Sequence, residues 1–171
     1  MTVAAVCAEL GYSGDMDASQ ISWPQRYSPQ RAPVHVVNAL TLSSSPARVW
    51  AKLIGAAGWP QFYANASNVV IEGGARELFA GAHFTWRTFG VNLKTQVIEF
   101  QPCERIAWLA TSPGVEAYHA WLIRPLPDGC QVITEETQYG LAARAARVLF
   151  PHRMEQWHQR WLEGLAKAAA S

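Results

Sequence analysis

The sequence predicts an α+β domain: a curved antiparallel sheet of about seven strands, two short helices after the first strand, and a long C-terminal helix packed on the sheet. Three observations predict it. Beyond Tyr63, strand-like runs follow one another between turn signals, with no long helical period until the C-terminus. Val91, Leu93, Thr95 and Val97 alternate with Asn92, Lys94 and Gln96, as a strand with one buried face requires. Leu141 to Ala170 is rich in Ala, Leu, Arg, Glu and Gln, all good helix formers.

In chain order, residues 1–33 carry Gly11, Gly14, Pro24, Pro29 and Pro33 without a sustained apolar period, and read as a partly ordered extension ahead of a domain spanning 34–171. Ile21, Trp23 and Tyr27 are apolar anchors that suit the domain surface. Val34 to Leu42 is a β-rich run. Ser45-Pro46 then opens a helix, because proline tolerates the first helical position, and Gly55 and Gly58 close it. A short turn, Trp59 to Tyr63, is the second helical piece. Strands follow at Val69–Glu72, around Phe84 and Trp86, from Val91 to Pro102, at Arg105–Thr111, and at Glu116–Arg124 and Gln131–Tyr139 about a Pro125–Gly129 turn. The terminal helix presents Leu141, Ala145, Val148 and Leu149, then Met154, Trp157, Trp161 and Leu165, as its apolar stripe, and Pro151 predicts a break near Phe150.

Composition narrows the function. The 171 residues suit one domain, and a net charge of +1 gives no footprint for a polyanion, so nucleic acid is not an expected partner. Cys7, Cys103 and Cys130 are far apart and lack metal-ligand spacing, which reads as three reduced thiols in a cytoplasmic protein. The apolar stretch Val3–Ala8 is too short for a span and lacks a basic flank, so neither a signal peptide nor stable membrane insertion is expected. Eight tryptophans demand a deep core or an aromatic-lined pocket. No nucleotide-binding loop and no nucleophile elbow is present, so no cofactor is expected. His152, Glu155 and His158 lack the spacing of a metal motif, so no metal is expected either.

Several local phrases carry a resemblance. They are Ser45-Pro46-Ala47-Arg48-Val49-Trp50, Gly58-Trp59-Pro60, Gly81-Ala82-His83-Phe84-Thr85-Trp86, Phe100-Gln101-Pro102-Cys103-Glu104-Arg105-Ile106-Ala107-Trp108, His119-Ala120-Trp121, and Gly129-Cys130-Gln131-Val132 leading to Glu135-Glu136. In order and spacing, residues 34–168 resemble the START-like superfamily, also called SRPBCC or birch-pollen-allergen-like, and within it the bacterial polyketide cyclase/dehydrase-like members. The resemblance implies a helix-grip fold, with the sheet wrapped around the terminal helix and an apolar ligand cavity between them. The superfamily holds ligand carriers, aromatase/cyclases, hydroxylase subunits and chaperone-associated domains, and fold alone does not choose among them.

In such a fold, alternation assigns Phe84, Trp86, Leu93, Thr95, Val97, Ile106, Trp108, His119, Trp121, Ile123, Val132, Thr134 and Glu136 to the inner face, the other face meeting solvent. The expected ligand-binding set is Phe84, Trp86, Leu93, Thr95, Trp108, His119, Trp121, Thr134 and Glu136 on the strands, with Leu149, Arg153 and Trp157 from the helix. His119 and Glu136 form the candidate catalytic pair, an imidazole tuned by a carboxylate, against the simpler reading of one buried group satisfying the other. The first expectation is binding of a small hydrophobic or aromatic molecule of lipid, polyketide or quinone type by a monomer or weak homodimer. A cofactor-independent cyclase or dehydratase is the alternative. A protein-interaction domain using Ile21, Trp23 and Tyr27 is the third.

Overall fold

The computed structural model describes residues 21–171. Its elements are β1 (Val34–Leu42), α1 (Pro46–Ile54), a 3-10 helix (Ala56–Gln61), β2 (Ser67–Ile71), β3 (His83–Thr88), β4 (Val91–Gln101), β5 (Arg105–Ser112), β6 (Val115–Leu126), β7 (Gly129–Tyr139), α2 (Leu141–Leu149) and α3 (Arg153–Ala170). The seven strands form one antiparallel sheet in the order β1-β7-β6-β5-β4-β3-β2. Strands β2 to β7 therefore run as a meander of consecutive neighbours. α1 and the 3-10 helix carry the chain from β1, at one edge, to β2 at the other. A register shift between Val97 and Glu99 bends β4 against β5, which helps the sheet curve around α3.

All thirteen residues assigned to the inner face are buried. Trp59, fully buried on the 3-10 helix, centres the core: its ring lies 5.9, 5.3, 5.6 and 5.1 Å from those of Phe84, Trp86, Trp108 and Trp161. Its indole N–H donates to the Leu53 carbonyl at 2.9 Å, so the polar atom carried inward is satisfied.

The terminal helix breaks between Leu149 and Arg153. Pro151 lacks a backbone N–H and disfavours helical geometry at Phe150, which takes φ −135° and ψ 68°. The stripe expected on the first half is corrected. α2 buries Ala143, while Leu141, Val148 and Leu149 face outward. The cause is the close approach of α2 to the β5–β6 turn: Ala142 N donates to Gly114 O at 3.1 Å, leaving room on that side for alanines.

The outer face of the sheet is not wet throughout. Ile21, Trp23 and Tyr27 pack against Ala107, Tyr118 and Ala120, with the Tyr27 and Tyr118 rings stacked at 5.4 Å. Thr137 Oγ1 donates to the Tyr27 carbonyl at 3.0 Å, and Tyr139 Oη donates to the Arg26 carbonyl at 2.6 Å. The anchors proposed for a partner protein are thus occupied within the chain. Residues 1–20, with the Val3–Ala8 stretch and Cys7, lie outside the described residues.

The cysteine reading is also corrected. Cys103 is disulfide-bonded, whereas Cys130 is a buried free thiol donating to Ser44 O at 3.3 Å. The expectation of a cytoplasmic location loses the support it drew from three reduced thiols. Among the described residues, no helix is long and apolar enough to cross a membrane.

Candidate functional site

A cavity of about 270 Å³ lies at one end of the groove between sheet and helices. Its apolar wall includes Trp86, Leu93, Trp108 and Trp161, and its rim includes Ala142, Ala146 and Phe150 of α2 and the segment after it. The polar part of the wall is a cluster of His119, Glu136, Gln138 and His158.

Strand pairing builds half of this cluster, because His119 of β6 is directly opposite Glu136 of β7. Nδ1 of His119 lies 2.8 Å from Glu136 Oε2, and Nε2 of the same ring lies 2.6 Å from Thr134 Oγ1. Gln138, two residues on along the same face, donates to Glu136 Oε1 at 2.5 Å. α3 brings His158 from the other side: its Nε2 is 3.4 Å from Glu136 Oε2, and its ring centroid is 4.8 Å from that of His119.

Burial pushes the Glu136 carboxyl up, but His119 and His158 together outweigh it and hold the group well below the usual carboxylate range. For His119, burial lowers the pKa and exceeds the opposing pull of Glu136. At neutral pH the site therefore sets an ionised Glu136 carboxylate beside a neutral His119 imidazole. Tyr63, also in the wall, has a phenol raised far above its ordinary value by burial, so it stays protonated.

His119, Glu136 and His158 offer ligand atoms within 4.8 Å of one another, close enough for a metal ion, but the donors and acceptors around them decide the matter. An ion held by His158 Nε2 would put the proton on Nδ1, where no acceptor stands. With the proton on Nε2, the same ring donates to Glu136 and leaves only a bare Nδ1 lone pair. The hydrogen-bonded arrangement fits these atoms better than an ion does.

Solved structures resemble the chain over most of its length. The protein jhp0584 of Helicobacter pylori is 28% identical, with a TM-score of 0.82 over 88% of this chain and 96% of that one. The di-domain ARO/CYC BexL from the BE-7585A biosynthetic pathway is 18% identical, with a TM-score of 0.64 over 81% of this chain and 50% of that one. Norcoclaurine synthase of Thalictrum flavum is 12% identical, with a TM-score of 0.60 over 78% of this chain and 91% of that one. No family model matches the sequence, and no curated protein does. The chain has the START-like helix-grip fold.

Within this helix-grip framework the expected site residues separate into two groups. Trp86, Leu93, Trp108, His119, Glu136 and Arg153 line the cavity. Phe84, Thr95, Trp121 and Thr134 share the inner face but do not line it. Phe84 packs on Trp59, Thr95 Oγ1 accepts from Trp86 Nε1 at 3.1 Å, Trp121 packs on Trp161, and Thr134 holds His119. Leu149 is 69% exposed and does not belong to the site. Trp157 stands outside the cavity, edge-on to Tyr63 and under Arg160. Two polar members were missed from the sequence. Gln138 continues the alternation Val132, Thr134, Glu136 by one step. His158 is four residues after Met154, three before Trp161 and seven before Leu165, so helical period alone places it on the buried face.

Proposed function

We propose that the chain binds a small, compact, largely aromatic molecule with oxygen acceptors, of quinone or polyketide type, in the helix-grip cavity. The observation that carries this reading is an apolar wall ending in a polar cluster, the pattern in which burial supplies affinity and a few polar atoms supply orientation. The volume falls just under the roughly 300–1,000 Å³ of common ligand pockets, which favours one or two rings over a long acyl chain. Trp108 and Trp161 line the cavity with buried indole N–H groups that lack a protein acceptor, and ligand oxygens suit them. Titration with 2-methyl-1,4-naphthoquinone is expected to quench tryptophan fluorescence to saturation, and Ala110→Trp, which fills the cavity, is expected to abolish this. Absence of saturable quenching in a folded protein, or quenching unchanged in Ala110→Trp, overturns the reading.

A second reading, a cofactor-independent cyclase or dehydratase, draws on one observation about His158. Its Nδ1 is buried without a partner while its Nε2 faces the Glu136 carboxylate. That is a base oriented and charge-compensated from behind. His119 is less suited, because both its nitrogens are engaged. His158 Nδ1 would take a proton from the carbon beside a ligand carbonyl, leaving an enolate, and return it to a departing hydroxyl as water. Solvent-deuterium exchange at the α-carbon of a β-ketothioester tests this. His158→Gln is expected to remove the protein-dependent exchange while affinity stays within about threefold, as for a group that acts in the transition state. Equal loss of both points back to binding alone.

A further inference from the structure

The helix at the cavity rim wears its apolar side outward. α2 turns Ala142, Ala143 and Ala146 toward the cavity, whereas Leu141 is 83%, Val148 80% and Leu149 69% exposed, and Phe150 follows at 53%. Leu141, Ala145 and Val148 lie on one helical face, since their spacing spans two turns. Ten large hydrophobic side chains are exposed among the described residues, and four of them fall within residues 141–150. Scattered exposed hydrophobics need no explanation, but a contiguous set does.

The charges beside this stripe have one sign. Arg144, Arg147 and Arg153 occur between Leu141 and Met154, and no Asp or Glu does. The first acid afterwards, Glu155, is bonded to Arg147. Arg153 stacks over Phe89 and Phe150 at 5.5 and 5.4 Å, which keeps its charge at the rim. Two copies of this face would set arginines against arginines, and a neutral apolar partner would leave them without counter-charge. An anionic, apolar-cored surface satisfies both features together.

We propose that α2 and Phe150 form a peripheral docking surface for an anionic lipid bilayer. The apolar stripe sits among the upper acyl chains, and Arg144 and Arg153 meet lipid phosphates, as in other short interfacial helices. Among the described residues no helix is long and apolar enough to cross the membrane, and the proposed binding is peripheral and reversible. Because α2 is also the cavity rim, docking would bring the opening to the phase in which a hydrophobic ligand dissolves. That use of the surface rests on the ligand-binding reading, but the surface itself does not.

The test is co-sedimentation of the full chain with extruded vesicles of phosphatidylcholine alone and of phosphatidylcholine mixed with phosphatidylglycerol. Binding is expected on the anionic vesicles, weakened by salt. Arg144→Glu should weaken it at least roughly fivefold, the equivalent of about 1 kcal/mol for one basic residue near the surface. The double variant Val148→Glu with Leu149→Glu should abolish it. These side chains are exposed, and circular dichroism confirms that the variants fold. No binding to anionic vesicles, or equal binding by the double variant, overturns the proposal. So does concentration-dependent self-association that the double variant removes, which would assign the stripe to a second copy. Naphthoquinone titration in vesicle-free buffer reports on the cavity separately, so either proposal can fail while the other stands.

Discussion

His119 and Glu136 are cross-strand partners on β6 and β7, and their side chains meet at 2.8 Å on the face that looks into the cavity. Direct opposition in an antiparallel pair fixes both Cβ atoms, so two short rotamer choices bring imidazole and carboxylate together. The contact is built by strand register, not by a flexible loop. Its energetics are then set by burial, which removes the water that would otherwise solvate Glu136.

Acidification should destabilise the fold in two steps. Burial lowers the folded-state pKa of His119 from 6.5, so the unfolded chain binds its proton first. The stability tied to neutral His119 is present above pH 6.5 and falls as pH drops below it. Glu136 is depressed from 4.5, so its contribution is present above pH 4.5 and is lost on further acidification. Thermal melts from pH 7.5 to 5 should show a falling Tm, with a shallower slope in His119→Gln. An unchanged slope in that variant would contradict the assignment.

Thr134→Val keeps the shape of the side chain and removes the hydroxyl that lies 2.6 Å from His119 Nε2. A fully buried ring nitrogen then lacks its partner, at a cost of about 1–3 kcal/mol. Urea denaturation measures this. Because Thr134 does not line the cavity, quenching by 2-methyl-1,4-naphthoquinone should be nearly unchanged in this variant.

The contrast between Thr134 and Glu136 shows how far the sequence could be read. Alternation along β4, β6 and β7 assigns residues to a face, and that assignment holds because a one-residue slip would carry every one of them to the opposite side. It does not say where along the groove empty space lies. Phe84, Trp121 and Thr134 sit where Trp59, Trp161 and the His119 ring fill the interior, and Thr95 is taken up by the Trp86 indole N–H, while Trp86, Leu93 and Glu136 flank the open end. Helical period has the parallel limit. It groups Leu141, Val148 and Leu149 on one face, but which face meets the sheet is decided by the approach of Gly114, far away in sequence. His158 was legible in principle, from its spacing to Trp161 and Leu165. Its meeting with Glu136 was not, since that depends on how α3 crosses the sheet.

Tyr27→Ala should loosen the N-terminal strap without disturbing the cavity. The ring stacks on Tyr118, contributing about 0.5–1.5 kcal/mol beyond area burial, and its hydroxyl donates to Glu116. A loss of about 1–3 kcal/mol is expected once the hydrogen bond is included. Hydrogen exchange should show faster exchange at the β6 amides beneath the strap, around Tyr118 and Ala120, and no change in α3.

Gly164 offers a sharper test of how tightly α3 is gripped. In a helix interior, Gly→Ala ordinarily stabilises by about 0.5–1 kcal/mol, because alanine loses less backbone freedom on folding. Here a Cβ would stand 2.1 Å from the Phe62 carbonyl oxygen, which belongs to the backbone and has no rotamer by which to withdraw. The helix must move instead. Overpacking of this kind costs about 1–3 kcal/mol, so the sign of the usual substitution is expected to reverse, as a lower urea midpoint. The displacement has a functional readout as well. His158 lies six residues earlier on the same rigid helix, and its 3.4 Å approach to Glu136 leaves little slack before the contact is lost. Gly164→Ala should therefore shift the His158 ring resonances in NMR spectra, while those of His35, bonded to Glu135 away from the cluster, stay nearly in place.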